Sequence, residues 1–144
     1  MAIISITTTA GAVSPEARPH IAKEIAALTS VAEGFAGSAI APELCWTFFN
    51  DRPHGAFSTG AGEPPHPLYY VEITILRGAI DRSAKESLGA AITSALLSRE
   101  IAPPIPRQPG RVWVRYSEVS DGDLIVGGRA TSLAGLRAFV AGEQ

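Results

Sequence analysis

The sequence predicts an α/β (α+β) fold of two tandem β-α-β units. Their four strands share one sheet, with both helices on one face and a short hairpin near the C-terminus. Three observations predict it. Gly11 and Gly78 stand 67 residues apart (78 − 11), and the same ungapped offset pairs Ala12 with Ala79, Ser14 with Asp81, Ile25 with Ile92, Pro42 with Pro109, Trp46 with Trp113, Asp51 with Glu118 and Gly60 with Gly127. The chain has only 2 tryptophans, so their pairing carries much of the weight. Each half passes from a β-rich segment to a helix-periodic one and back. At 144 residues and 46% hydrophobic, the chain can fill one core but not two large ones. We therefore read residues 1–144 as a single domain with repeat units over about 1–62 and 68–130.

In the first unit, residues 3–8 form a strand ending near Gly11. Ser14-Pro15 predicts a helix start, with serine as N-cap and proline at the first helical position. Ala17, Ile21, Ile25, Leu28 and Val31 form its apolar stripe, and Pro19, past that position, predicts a kink. Gly34 and Gly37 end the helix, and residues 44–49 return as a strand. In the second unit Val71, Ile73 and Ile75 alternate with Glu72, Thr74 and Leu76. Asp81 caps a helix carrying Ala84, Leu88, Ile92, Ala95 and Leu96, and a proline-rich loop at 103–109 leads into a strand at 111–118. Residues 60–67 connect the units.

A helix between two strands is a crossover, so each pair is expected to be parallel and right-handed. Large groups lie on both faces of the 44–49 strand, with Leu44, Trp46 and Phe48 against Cys45 and Phe49. Parallel strands are normally buried on both sides, so oligomerisation is expected to cover the second face.

A formal charge of -2 gives no electrostatic case for nucleic acid. The first apolar run is broken by Thr7-Thr8-Thr9 and lacks a basic flank, which argues against membrane and export. Cys45 is alone, so a reducing, cytoplasmic setting is expected. His20, His54 and His66 are scattered without ligand spacing, so neither a metal nor a cofactor is expected. Ser58 and Thr59 lack a nucleophile context, Gly60-Ala61-Gly62 does not open a helix, and Asp121-Gly122-Asp123 reads as a tight turn.

The run Val71-Glu72-Ile73-Thr74-Ile75-Leu76-Arg77-Gly78, with Lys85 in the helix after it, resembles the first strand and helix of 4-oxalocrotonate tautomerase. Val112-Trp113-Val114-Arg115-Tyr116-Ser117-Glu118-Val119, then Gly127-Gly128-Arg129, resembles that family's second strand and glycine hairpin. Order and spacing thus identify a resemblance to the tautomerase superfamily and its tautomerase/MIF-like fold. The fused length is most similar to the cis-3-chloroacrylic acid dehalogenase group. The resemblance implies a homotrimer, a small carboxylate-bearing substrate and an N-terminal proline amine as proton shuttle.

Here the proline position reads Ala2. The family's strand-end and helix-start arginine positions read Leu76 and Ala79, with Arg77 between them. Its helper histidine falls near Thr29, its late acid near Val126 and its strand tyrosine at Arg115.

If Met1 is removed, the amine of Ala2 takes the proline's place, and a primary amine shuttles protons and forms Schiff bases. If Met1 is retained, Ala2 becomes an ordinary amide. Arg77, Arg115 and Arg111 are candidate carboxylate clamps, although exposed structural arginines fit the same pattern. Arg111, Trp113, Arg115 and Ser117 share one strand face by alternation. Trp113 and Phe57 are candidate pocket walls as well as packing residues.

The expectation is a proline-free isomerase ketonising small 2-oxo or enol acids, or else a non-catalytic relative that binds a small ligand. Dehalogenation or hydration is disfavoured because the acidic and histidine helpers are missing. Whether the protein is an enzyme stays open at this point.

Overall fold

A computed structural model describes residues 1–101 and 105–142. Four eight-residue strands, β1 (Ala2–Thr9), β2 (Cys45–Arg52), β3 (Tyr69–Leu76) and β4 (Val112–Val119), form one sheet in the order β2-β1-β3-β4. β1 runs parallel to β2 and β3 parallel to β4, while the central β1 and β3 are antiparallel. Helix α1 (Arg18–Ala32) joins the first pair and α2 (Arg82–Leu97) the second. The 67-residue offset holds in three dimensions: it relates Ala2 to Tyr69 and Cys45 to Val112, the first residues of the paired strands. With the central pair antiparallel, one unit starts where the other ends.

Alternation in β1 and β3 sends Ala2, Ile4, Ile6, Val71, Ile73 and Ile75 into the core, all at most 2% exposed. Ile21 and Ile25 of α1 and Leu88, Ile92 and Leu96 of α2 cover them, so one core serves both units. The other face is open: Trp46 is 63%, Phe48 50% and Trp113 72% exposed. Burying one such side chain is worth about 1.5–3 kcal/mol, so the β2 edge of this face, with Trp46 and Phe48, favours a partner.

The expected boundaries shift in instructive ways. Ser14 does not cap α1. Its Oγ accepts from the Ala17 N–H at 3.2 Å and closes a turn, and the helix opens at Arg18 with Ala17 as an N-cap that makes no side-chain bond. Pro19 therefore sits in the first turn, where its missing N–H goes unneeded, so the reason for expecting a kink disappears. Val31 leaves the apolar stripe and is 62% exposed, while Thr29 is fully buried in its stead.

Asp81 caps α2 as expected, accepting from the Ala84 N–H at 2.8 Å. Pro103 and Pro104 of the proline-rich loop lie outside the described residues. Past β4, strands β5 (Ile125–Val126) and β6 (Arg129–Ala130) pair across Gly127-Gly128. Both glycines have positive φ, as a two-residue hairpin turn of this kind requires.

A third helix, α3 (Leu133–Val140), was not expected from the sequence, being eight residues long with Gly135 inside it. Ser132 caps it through Gly135 N–H at 3.0 Å, and Asp121 Oδ1 accepts from Leu133 N–H at 2.9 Å. The Asp121-Gly122-Asp123 turn is thus an anchor for α3.

Candidate functional site

Pairing of Ala2 with Cys45 on one side and Ile75 on the other places the Met1 amine just beyond the sheet end. Helix α1 finishes there. Glu33 is its C-cap, and Gly34, at φ +84, turns the chain in a conformation that side-chain-bearing residues adopt poorly. The Glu33 side chain is 2% exposed and accepts a hydrogen bond from the Met1 ammonium, with N to Oε2 at 2.6 Å. Its Oε1 has no partner among the described residues, nor has the buried Thr29 Oγ1. Cys45 belongs to the same cluster. Burial above all, against the pull of the Met1 ammonium and with Glu33 adding to the rise, pushes its thiol up to about 11.

Beside this pair lies a cavity of about 570 Å³, walled by residues 33–38 and, from α3, by Arg137, Val140 and Ala141. Leu136 packs α3 down at 3% exposure. Arg137 has no carboxylate partner among the described residues. Glu33, which holds the Met1 ammonium, and Arg137, which has no carboxylate partner among the described residues, thus line one cavity. That set can move a proton and hold a carboxylate.

The residues anticipated from the sequence divide between the two ends of the sheet. Ala2, 2% exposed, lies at the amine end as an internal residue of β1 preceded by Met1. Arg77 follows β3 at that same end; its side chain is 66% exposed and its Nε lies 4.0 Å from Glu118 Oε2. Glu118 is held more closely by Lys85 Nζ at 2.6 Å, a contact that keeps its carboxyl below the usual range. Arg115 stands mid-strand on the open face, 3.3 Å from Glu72 of β3.

Arg111 departs most from expectation. It precedes β4 in a 3-10 turn, only 5% exposed, and so does not share the strand face of Trp113 and Arg115. Its guanidinium donates to Glu100 at 2.6 and 2.5 Å, to Pro67 O at 2.8 Å and to Pro106 O at 3.0 Å. The Glu100 contact holds Arg111 protonated beyond its ordinary range. Tyr69 donates to the same carboxylate at 2.9 Å, and burial and Glu100 push its phenol far up. Arg111 therefore closes a structural network.

Trp113 donates its indole N–H to Gly110 O at 3.1 Å, and with Phe57 and Arg111 it lines a second cavity of about 530 Å³. That cavity sits at the opposite end from the amine. Eight residues at about 3.3 Å each separate the ends by roughly 25 Å.

Glu33 and Arg137 were not anticipated as site residues. The offset did contain a signal, because Glu33 plus 67 is Glu100, and both carboxylates are buried against a cation. Arg137 had none, since it lies beyond the repeat on a helix that the periodicity did not reveal. Among the described residues no group of three or more His, Cys, Asp or Glu side chains can hold a metal ion, and no helix is long and apolar enough to cross a membrane.

No protein-family model matches this sequence, and no match to a curated protein is found. Solved structures do match. A member of the cis-3-chloroacrylic acid dehalogenase family aligns over 96% of this chain and 90% of its own, with a TM-score of 0.73 and 21% identity. A fused 4-OT solved as a symmetric trimer covers 93% of this chain and 98% of its own, at TM-score 0.70 and 14% identity. A macrophage migration inhibitory factor-like protein from Entamoeba histolytica covers 90% and 98%, at TM-score 0.67 and 15% identity. The chain has the fold of tautomerase-superfamily proteins, in the fused two-unit arrangement.

Proposed function

We propose that this chain is a proline-free tautomerase-superfamily protein that ketonises small 2-oxo/enol acids with its N-terminal primary amine. The observation that carries this reading is the 2.6 Å pair between the Met1 ammonium and Glu33, which lines the same cavity as Arg137. Arg137 holds the substrate carboxylate, and Arg77, at the same end of the sheet, is a second anchor.

The ammonium donates a proton to the enol carbon, and the C=C electron pair becomes the new C–H bond. The enol O–H loses its proton as the C=O forms, and that proton returns to the amine, directly or through Glu33. Atoms and charge balance without a cofactor. If Met1 is removed, the amine retreats by one residue, about 3.8 Å, to Ala2. It then occupies the position of the family's proline.

The β2 edge of the open face, carrying Trp46 and Phe48, supports assembly as a homotrimer, the state of the fused 4-OT noted above. A single cysteine whose thiol is pushed up by burial is in keeping with a cytoplasmic setting.

A second reading is a ligand-binding pseudoenzyme on the same scaffold. It is favoured by Met1 itself, which makes Ala2 an amide and leaves the amine neutralised by Glu33. The test is ketonisation of phenylenolpyruvate and 2-hydroxymuconate, with the N-terminus of each preparation defined by mass spectrometry. Turnover above buffer, with KM raised at least tenfold by Arg137→Ala, supports the enzyme. No turnover from either N-terminal form, with saturable binding of a 2-oxo acid, supports the pseudoenzyme.

A further inference from the structure

The repeat places a counterpart of the amine corner at the far end of the sheet. Leu68 and Tyr69 stand 67 residues after Met1 and Ala2, Glu100 after Glu33, and Trp113 after Trp46. A cavity of about 530 Å³ opens there, within the 300–1,000 Å³ of small-molecule sites. Its walls include Phe57, Leu68, Tyr70 and Trp113, with Ser58 and Arg111 among the polar contributors.

We propose that this cavity is a second binding site, for an uncharged aromatic molecule carrying a carbonyl acceptor. Charge decides the class. Where the first corner has an ammonium and Arg137, which has no carboxylate partner among the described residues, this one has a guanidinium already ion-paired with Glu100, with Tyr69 bound to the same carboxylate. The pair is 5% exposed on both sides, so an anion entering the cavity meets no net positive charge.

What remains is apolar area with donors that include the Ser58 hydroxyl and Arg111 Nε–H. The Trp113 indole N–H is spent on Gly110 O, which leaves its ring as a stacking surface that is 72% exposed. The buried Arg111 Nε–H has no acceptor among the described residues. An unmet buried donor costs about 1–3 kcal/mol, and a ligand carbonyl relieves it. Aromatic walls, beside a guanidinium already paired with Glu100, select a flat aryl ketone over an aryl carboxylate.

The test uses ¹⁹F NMR on the assembled protein with 4-fluoroacetophenone and, in parallel, 4-fluorobenzoate. The ketone is expected to broaden saturably and to bind at least tenfold more tightly than the carboxylate. Trp113→Ala and Phe57→Ala are each expected to weaken it at least fivefold, and Arg137→Ala to leave it unchanged. Circular dichroism confirms that each variant is folded. Absence of saturable ketone binding, tighter binding of the benzoate, or loss of ketone binding in Arg137→Ala overturns the proposal. The last two outcomes assign the probe to the amine corner, and none of the three bears on whether the amine is catalytic.

Discussion

Glu33 and Glu100 are one position in two copies of a unit, and each buries its carboxylate against a cation of different origin. Glu33 takes the ammonium ahead of β1 at 2.6 Å, whereas Glu100 takes the Arg111 guanidinium ahead of β4 at 2.6 and 2.5 Å. The backbone offers an α-amine only at its start. At Leu68, the counterpart of Met1, there is an amide, and a buried carboxylate there needs a side-chain cation instead. The acid is the same in both units and the base beside it differs.

The two acids are expected to differ in cost when neutralised. Glu100→Gln leaves Arg111 charged and enclosed, and loses about 3–5 kcal/mol. Glu33→Gln breaks one bond to an amine that reaches solvent more easily, and loses about 1.5–3 kcal/mol. Urea unfolding at pH 7 measures both, and equal losses would contradict the difference in enclosure.

The helix starts make a second pair. Asp81→Ala removes the α2 cap and is expected to cost about 1 kcal/mol. Ser14→Ala removes only the second bond of a turn that the Ala17 N–H already makes to Ser14 O at 3.1 Å, and is expected to cost a few tenths. A Ser14 loss as large as that of Asp81 would restore serine as the true start of α1.

These starts show what the sequence discloses and where it stops. The repeat of glycines and tryptophans reveals four strands, the parallel pairing within each unit and two helices, because period and spacing are local properties. The antiparallel pairing of β1 with β3 is a contact between units and leaves no period to read. It misplaces the α1 start, since Ser14-Pro15 and Ala17-Arg18-Pro19 both satisfy helix-start chemistry and only packing chooses between them. It brings Arg111 forward as a clamp, because alternation cannot tell a strand residue from the turn just before it. Arg137 and the cavity it lines depend on a short helix docked by a distant aspartate, a relationship with no period to read.

Cys45 is expected to be chemically quiet. With its pKa raised to about 11, the thiolate at pH 8 is about 0.1% of the thiol, against about a quarter for an ordinary cysteine. Ellman's reagent should therefore react at least a hundredfold more slowly with the native protein than in 6 M guanidinium. Comparable rates would show that the burial is not maintained in solution.

Lys85 and Glu118 give an acid-side signature. Because the Lys85 contact lowers the Glu118 pKa in the folded state, its contribution is present above the ordinary carboxylate pKa of about 4.3 and is lost as pH falls through the lowered value. The stability gap between wild type and Lys85→Met is expected to be widest at pH 7 and to narrow toward pH 2. A residual gap reflects the Lys85 ammonium 5.6 Å from the Tyr116 ring, which does not titrate in that range. Denaturation midpoints across pH 2–7 check this.

Trp46→Glu with Phe48→Glu is expected to leave the fold intact and abolish the proposed trimer, because both side chains are at least half exposed on the open face. Sedimentation velocity distinguishes the states. An unchanged sedimentation coefficient would place the subunit contacts elsewhere.

The antiparallel pairing of β1 with β3 has an evolutionary consequence. In an assembly of identical single units, any substitution appears at every equivalent site at once, so a pocket cannot change in one copy and persist in another. Fusion in one chain removes that constraint, and the central antiparallel pair sets the two corners at opposite ends of the sheet. One corner is then free to lose or trade its charge while the other is kept under selection. Glu33 beside an amine and Glu100 beside an arginine are two corners that already differ in this way.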